Sequence, residues 1–235
     1  MNDHILTLAR EHAPCYLYEY DVMRRQVETL RRAFPRYDLL YSIKANPFPP
    51  VVRALAGLGL GADAASAPEV LLSRRCGMDR ADIFFSAAGK SDAALEAAWD
   101  EGEIIADSLG EVARIGALCE KKGQHRAIGV RMNPAFGMGG AAGGSSKFGI
   151  NEEDLPQLKA LLDTLPVTVE GIHVHLKSQN LDADVLGGCY RDSWALAKRV
   201  RDTLECGMRY VNFGSGVGVA YDEAFEQPLA LERLR

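Results

Sequence analysis

Seven short apolar runs, rich in β-branched and aromatic residues, alternate with amphipathic helical patterns, and no hairpin turn joins any two of the runs. The runs cover residues 39–45, 61–64, 82–86, 104–107, 127–132, 169–176 and 210–213. Helical periodicity fills 49–58, 68–76, 91–101, 109–122, 152–164 and 185–204, after a lead-in helix over 21–34 that begins at an Asp21 cap. Pro68-Glu69, Ser91-Asp92 and Asn151-Glu152-Glu153 mark further helix starts. Strand then helix, repeated, requires crossover connections and therefore a parallel sheet. Seven strands without a break for a second domain favour a (β/α)₈ TIM barrel over a doubly wound sheet, with residues 1–235 as one domain. Such a barrel takes ~250 residues. With a helical lead-in and only seven strands, the chain is expected to stop before the eighth.

Charge narrows the function classes. Lysine and arginine total 27 against 32 acidic residues, a net charge of −5, and the basic residues are dispersed. Neither a nucleic acid nor a membrane surface is an expected partner. The apolar runs are too short to span a bilayer, and Met1-Asn2-Asp3-His4 does not begin a secretory leader. Cys15, Cys76, Cys119, Cys189 and Cys206 are far apart and odd in number, matching no zinc spacing or disulfide framework. Reduced thiols in a cytoplasmic setting are the expectation.

In a parallel barrel the chemistry sits where strands end. Polar and glycine residues gather at these ends, while strand interiors are apolar. The first run ends in Tyr41-Ser42-Ile43-Lys44-Ala45-Asn46-Pro47, and strand alternation puts Leu40, Ser42 and Lys44 on one face. A lysine there either snorkels to solvent or serves as an amine nucleophile toward a carbonyl. The matching polar ends of the other strands favour the nucleophile. Those ends are Asp63, Ser86 to Lys90, Asp107-Ser108, Arg131-Met132-Asn133-Pro134, the stretch from His173 to Gln179, and Gly214-Ser215-Gly216-Val217-Gly218.

His173 and His175 share a strand face by the period of two. They read as metal ligands, as ring contacts to a cofactor, or as including one structural histidine. A zinc pair needs at least one more protein ligand, which Asp63 or Asp107 could supply. Stacking on a flat cofactor suits His175, nearer the mouth, and leaves His173 to the core or to a supporting role. Gly214 to Gly218 is a weak dinucleotide motif but suits a monophosphate cradle after the seventh strand. Its alternative is a plain turn. The glycine-rich run 137–144 reads as a flexible lid or as an ordinary disordered loop.

Seven stretches in order then resemble one family: Tyr41 to Pro47, Gly61-Ala62-Asp63, Gly89-Lys90-Ser91, Arg131 to Pro134, Ser146-Lys147-Phe148-Gly149-Ile150, Gly171 to Gln179, and Phe213-Gly214-Ser215-Gly216. They are similar to the fold-type III decarboxylases that use pyridoxal phosphate. These include the diaminopimelate, ornithine and arginine decarboxylases, and alanine racemase shares their barrel. The diaminopimelate branch is nearest, through the wording from His173 to Gln179 and from Ser146 to Ile150.

That resemblance implies an alanine racemase-type barrel and pyridoxal phosphate on Lys44 as a Schiff base, with His175 stacked on the cofactor ring. It implies phosphate contacts from Ser178, Gly214, Ser215 and Gly216, and places Asp63 and Arg131 on active-site positions. It implies decarboxylation of diaminopimelate or of a related basic amino acid such as ornithine, lysine or arginine, and a homodimer for the full-length form. Two departures accompany it: Lys177 and Ser215 stand where the family usually has glycine. The family's Glu-Pro-Gly-Arg motif and its C-terminal β-domain have no counterpart in these residues, so weak cofactor binding and poor turnover are expected of this chain alone. The alternatives are a single-barrel pyridoxal phosphate-binding protein with little catalysis and a metal-dependent barrel hydrolase using His173 and His175.

Overall fold

The computed structural model describes residues 3–144, 146–214, 216–222 and 227–234. Seven parallel strands form one ladder: β1 (Leu40–Ser42), β2 (Gly61–Ala64), β3 (Ile83–Phe85), β4 (Glu103–Ala106), β5 (Arg126–Asn133), β7 (Val167–His173) and β8 (Tyr210–Asn212). A two-residue strand, β6 (Ile150–Asn151), pairs with the end of β5 outside that path. All seven runs read from the sequence are strands, and all neighbours on the path are parallel.

The intervening helices are α3 (Pro49–Gly57), α4 (Ala67–Arg75), α5 (Asp92–Ala98), α6 (Leu109–Lys122), α7 (Leu155–Leu162) and α8 (Ala183–Leu204). Serines cap three of them directly after strand ends: Ser66, Ser91 and Ser108 each accept a backbone N–H of the following first turn. The lead-in helix α2 (Tyr20–Ala33) begins one residue before the expected Asp21. Asp21 does not cap it. The cap position is Glu19, without a side-chain bond, and Asp21 accepts from Arg24 within the first turn. A further helix, α1 (Asp3–His12), was not expected from the pattern.

Ring contacts show that the sheet curls. Tyr210 on β8 meets Phe84 on β3 edge-on, with centroids 5.0 Å apart, although four ladder steps separate the two strands. Tyr37, just before β1, lies 5.9 Å from Phe213, just after β8. Tyr210 fills the interior because Gly129 and Gly171 make room for it. A Cβ at Gly129 would lie 2.2 Å from the Tyr210 hydroxyl, and one at Gly171 2.3 Å from its ring. The interior is thus a packed core rather than a pore.

Outside the sheet, the main apolar cluster joins β4, β5 and β7 to α5 through α8, around Trp99, Ile104, Ile115, Ile128, Leu158 and Ile172. A second packs β1–β3 on α3 and α4 through Ile43, Val52, Val70, Ile83 and Phe85. At the N-terminal ends of the strands, Arg209 binds Glu170 at 2.6 Å and Glu103 at 3.5 Å. Buried Arg126 stacks on Trp99 at 4.3 Å and donates to the Gly102 carbonyl. A cavity of about 380 Å³ lies there, at the end opposite the strand-end cluster described next.

Two expectations change. The glycine-rich run is folded rather than loose. Met138–Gly140 forms a 3₁₀ turn, Phe136 and Ala142 form an antiparallel bridge, and Met138 packs into a cluster with Phe34, Ala183 and Leu186. The sixth predicted strand ends at His173 rather than at 176. Among the described residues no helix is long and apolar enough to cross a membrane.

Candidate active site

Lys44 is carried differently from the sequence expectation. β1 stops at Ser42, the last residue in register with β2 through Asp63, and Ile43–Ala45 is a 3₁₀ turn. Strand alternation therefore does not extend to Lys44. The proline at 47 lacks an N–H and cannot continue a ladder, so the chain must turn before it. Ile43 is fully buried and anchors the turn, while Lys44 is exposed beside it. Asn46 pins its far end: its carbonyl accepts from the Tyr41 hydroxyl, its Oδ1 accepts from the Phe48 N–H, and its Nδ2 donates to the Tyr18 hydroxyl.

The neighbouring strand ends supply hydroxyls, carboxylates and one guanidinium. Half-buried Asp63 accepts from Ser42 Oγ at 3.3 Å and from Ser86 Oγ in a closer contact, so three adjacent strands converge on one carboxylate. Arg131 on β5 donates from Nη1 to Asp107 at 3.3 Å. Its guanidinium lies 4.9 Å from the centre of the Phe148 ring. β6 makes that contact possible by drawing the segment before it against the end of β5, with Gly149 at φ +82° close to the Asn133 N–H.

His173 is the last residue of β7 and is buried, and its Nδ1 has no hydrogen-bond partner among the described residues. Burial pushes its pKa down to about 3, reinforced by the positive charges of Arg131, His175, Lys90 and Lys44. The imidazole is therefore neutral near pH 7. His175 lies beyond the strand, so the two rings do not share a strand face; they are 6.5 Å apart and tilted by 42°. Nδ1 of His175 donates to the Gly214 carbonyl at 2.6 Å, which fixes its ring.

His173 makes stability depend on acid in a defined window. Its folded pKa lies below the ordinary histidine value, so the unfolded chain binds more protons between about pH 6.5 and 3. The contribution is fully present above that window and falls as pH drops, by up to about 1.4 kcal/mol per pH unit. In urea unfolding between pH 6 and 4.5, His173→Leu should lose close to one proton's worth of that slope; an unchanged slope would refute the assignment.

The glycine turn packs on the loop after β7. Gly214 has φ +64°, and a Cβ there would lie 2.3 Å from the Val174 carbonyl. Its N–H donates to Asn212 Oδ1 and its carbonyl holds His175, so Gly214 works chiefly by placing the histidine. Gly216, at φ +99°, accepts from the Asn180 N–H, and the Gln179 side chain pairs with both backbone groups of Val219. Ser178 is exposed on the facing bend. Ser215 lies outside the described residues. Gly214→Ala is expected to cost about 1–3 kcal/mol through strain and crowding. It should also release His175, visible in NMR as loss of the slowly exchanging Nδ1–H.

The sequence reading missed the most buried charges. Lys90 and Glu111 form an ion pair at 2.6 Å with side chains 0% and 1% exposed. Gly89-Lys90-Ser91 stood out only as a motif, and nothing local marks Lys90 as internal. For the metal reading, no group of three or more His, Cys, Asp or Glu side chains among the described residues is placed to hold an ion. His173 and His175 therefore lack the further ligand that reading needs.

A family profile described as "Pyridoxal-dependent decarboxylase, pyridoxal binding domain" matches residues 20–234. The chain is 31% identical over 220 residues to the L-glutamyl-[BtrI acyl-carrier protein] decarboxylase of Niallia circulans, covering 90% of this chain and 51% of that protein. It is 28% identical over 233 residues to the diaminopimelate decarboxylase of Aquifex aeolicus, covering 92% and 53%. The crystal structure of Helicobacter pylori diaminopimelate decarboxylase complexed with L-lysine superposes with a TM-score of 0.86 at 25% identity, over 99% of this chain and 61% of that one. The chain spans about half the length of the curated relatives it matches.

The donor set fits pyridoxal phosphate. An exposed amine on a pinned turn suits an aldehyde, an imidazole fixed at Nδ1 suits a flat ring, and Arg131 is a cation for an anionic group. The loops holding His175 and Gly214 are closed on each other by glycines that a Cβ would force apart. The match across residues 20–234 includes every strand end described above, and the chain belongs to the pyridoxal-dependent decarboxylases as their pyridoxal-binding domain.

Proposed function

We propose that the protein takes part in pyridoxal phosphate-dependent decarboxylation of an amino acid, with Lys44 as the Schiff-base lysine. The observation that carries this reading is the position of Lys44: an exposed amine on a turn held by Ile43 and Asn46, at the same end of the sheet as His175, Asp63 and Arg131. Bound pyridoxal phosphate supplies an electron sink conjugated to the substrate α-carbon. The chain's own residues bind and orient. Lys44 Nζ is the amine that would hold the cofactor's aldehyde carbon. His175 presents a ring face fixed by the Gly214 carbonyl. Ser178, Ser215, Gly216 and the Gly214 turn are assigned to the phosphate. Asp63, set by Ser42 and Ser86, and Arg131, set by Asp107, supply fixed charges beside the cofactor.

The relatives favour diaminopimelate or a related basic amino acid such as ornithine, lysine or arginine as substrate. The 31% identity to the Niallia circulans protein makes a glutamyl group on an acyl-carrier protein the second candidate. We assign residues 1–235 to one pyridoxal-binding barrel domain, a homodimer to the full-length form and the cytoplasm to its setting. The test is borohydride trapping of added pyridoxal phosphate followed by peptide mass mapping, which should place the adduct on Lys44. Release of CO₂ is then measured over a panel of the basic amino acids and the carrier-bound glutamyl group. An adduct elsewhere overturns the lysine assignment. Trapping at Lys44 without CO₂ release from any substrate would leave a cofactor-binding protein with little catalysis.

A further inference from the structure

The buried Lys90–Glu111 pair has no place in the function described so far. Lys90 uses all three ammonium protons: on the Ala87 carbonyl at 2.5 Å, the Ile105 carbonyl at 2.6 Å and Glu111 Oε1 at 2.6 Å. These partners lie on three different pieces of chain: the loop after β3, the end of β4 and the first turn of α6. Glu111 is three residues after the Ser108 cap, where a glutamate commonly turns back to the cap's N–H. Here its Oε1 goes to Lys90 instead, and Oε2 has no hydrogen-bond partner among the described residues.

Ile105 and Glu111 bracket Asp107. One ammonium ties both ends of the segment that carries Asp107, and Asp107 in turn accepts from Arg131. Burial alone would push the Lys90 pKa down and the Glu111 pKa up, and their 2.6 Å contact opposes both shifts. A buried pair of this kind is weak evidence of stability, because an apolar pair of similar volume often serves as well.

We infer that Lys90 and Glu111 are positioning residues: they clamp the turn after β4 so that Asp107 holds the Arg131 guanidinium against Phe148. The inference rests on the proposed function only for the use made of Arg131, since the clamp itself is a property of the chain.

The test uses nitrogen-15-labelled protein and the Arg131 Nε–H signal, identified by its absence in Arg131→Lys. The Phe148 ring, 4.9 Å from the guanidinium, should displace that signal in the unaltered protein, and Asp107→Asn should return it to the position of a free arginine. Lys90→Met alone risks unfolding, so the pair is replaced as Lys90→Met/Glu111→Leu, which keeps the volume and removes both charges. The clamp predicts that the Arg131 signal moves in this folded variant as it does in Asp107→Asn. The Trp99 Nε1–H signal, a 2.8 Å donor to Gln124, should stay in place. An unmoved Arg131 signal overturns the inference, and so does movement of both signals, since the pair would then only support the fold.

In the same variant, pyridoxal phosphate affinity should fall about tenfold, the scale of one lost charge-assisted hydrogen bond. If the Arg131 signal moves but affinity does not, the clamp stands and the assigned use of Arg131 fails.

Discussion

Lys44→Ala is expected to abolish covalent capture of pyridoxal phosphate and to leave folding almost untouched. The side chain is exposed, and the turn beneath it is held by Ile43, Asn46 and Tyr41 rather than by the lysine. A surface truncation of this kind shifts stability by no more than about 0.5 kcal/mol. The chemical consequence is large, because Lys44 is the amine assigned to the cofactor. Lys90 is spent on three internal partners. Removing an essential nucleophile lowers turnover by roughly a thousandfold or more. The cofactor-lysine absorbance band and the thermal midpoint, measured on one preparation, separate the two effects. Persistence of the band in Lys44→Ala, with borohydride still yielding an adduct, would remove Lys44 from the mechanism.

Lys90→Met is expected to produce the largest loss of stability, about 3–5 kcal/mol, because it strands the buried Glu111 carboxylate without its ion-pair partner. Glu111 then loses its 2.6 Å ion pair, and among the described residues its second oxygen already has no hydrogen-bond partner. The stranded carboxylate must take up a proton to remain buried. Its folded pKa then lies above the unfolded one, so the variant is least stable at high pH and recovers as pH falls through that raised value. Adding Glu111→Leu should restore much of the loss, since it removes the stranded charge and keeps the volume filled, although the Ala87 and Ile105 carbonyls lose the Lys90 donor. Urea unfolding of the single and double variants at pH 8 and pH 5.5 checks both points. A single variant as stable as the double at pH 8 would show that Glu111 escapes to solvent.

The strand–helix order was legible in the chain because a parallel sheet buried on both faces writes itself as short apolar runs between amphipathic helices. Residue ends were less so. The run through Lys44 looks like continuous strand, yet the ladder stops at Ser42 and a 3₁₀ turn over Ile43–Ala45 takes over ahead of Pro47. His173 and His175 look like one face of a strand, yet the strand ends at His173, and the ring of His175 turns to the Gly214 carbonyl. β6 is two residues long and carries no periodicity to detect. The glycines at 137–144 suggested looseness, but glycine also permits tight backbone packing, and Gly143 sits where a Cβ would strike the Pro134 carbonyl.

The amino-acid sequence by itself determined the parallel strand–helix repeat, the family through seven ordered stretches, and the gathering of Lys44, Asp63, Arg131, His175 and the glycine turn at one end of the sheet. Periodicity and short motifs suffice for these, because each depends on residues close together in the chain. Tertiary structure alone decided which charges pair, which histidine is buried and neutral, and that Lys90 closes a clamp around Asp107. Those contacts join residues 15 to 39 positions apart, and their strength depends on exclusion of water by the packed core, which no local pattern records.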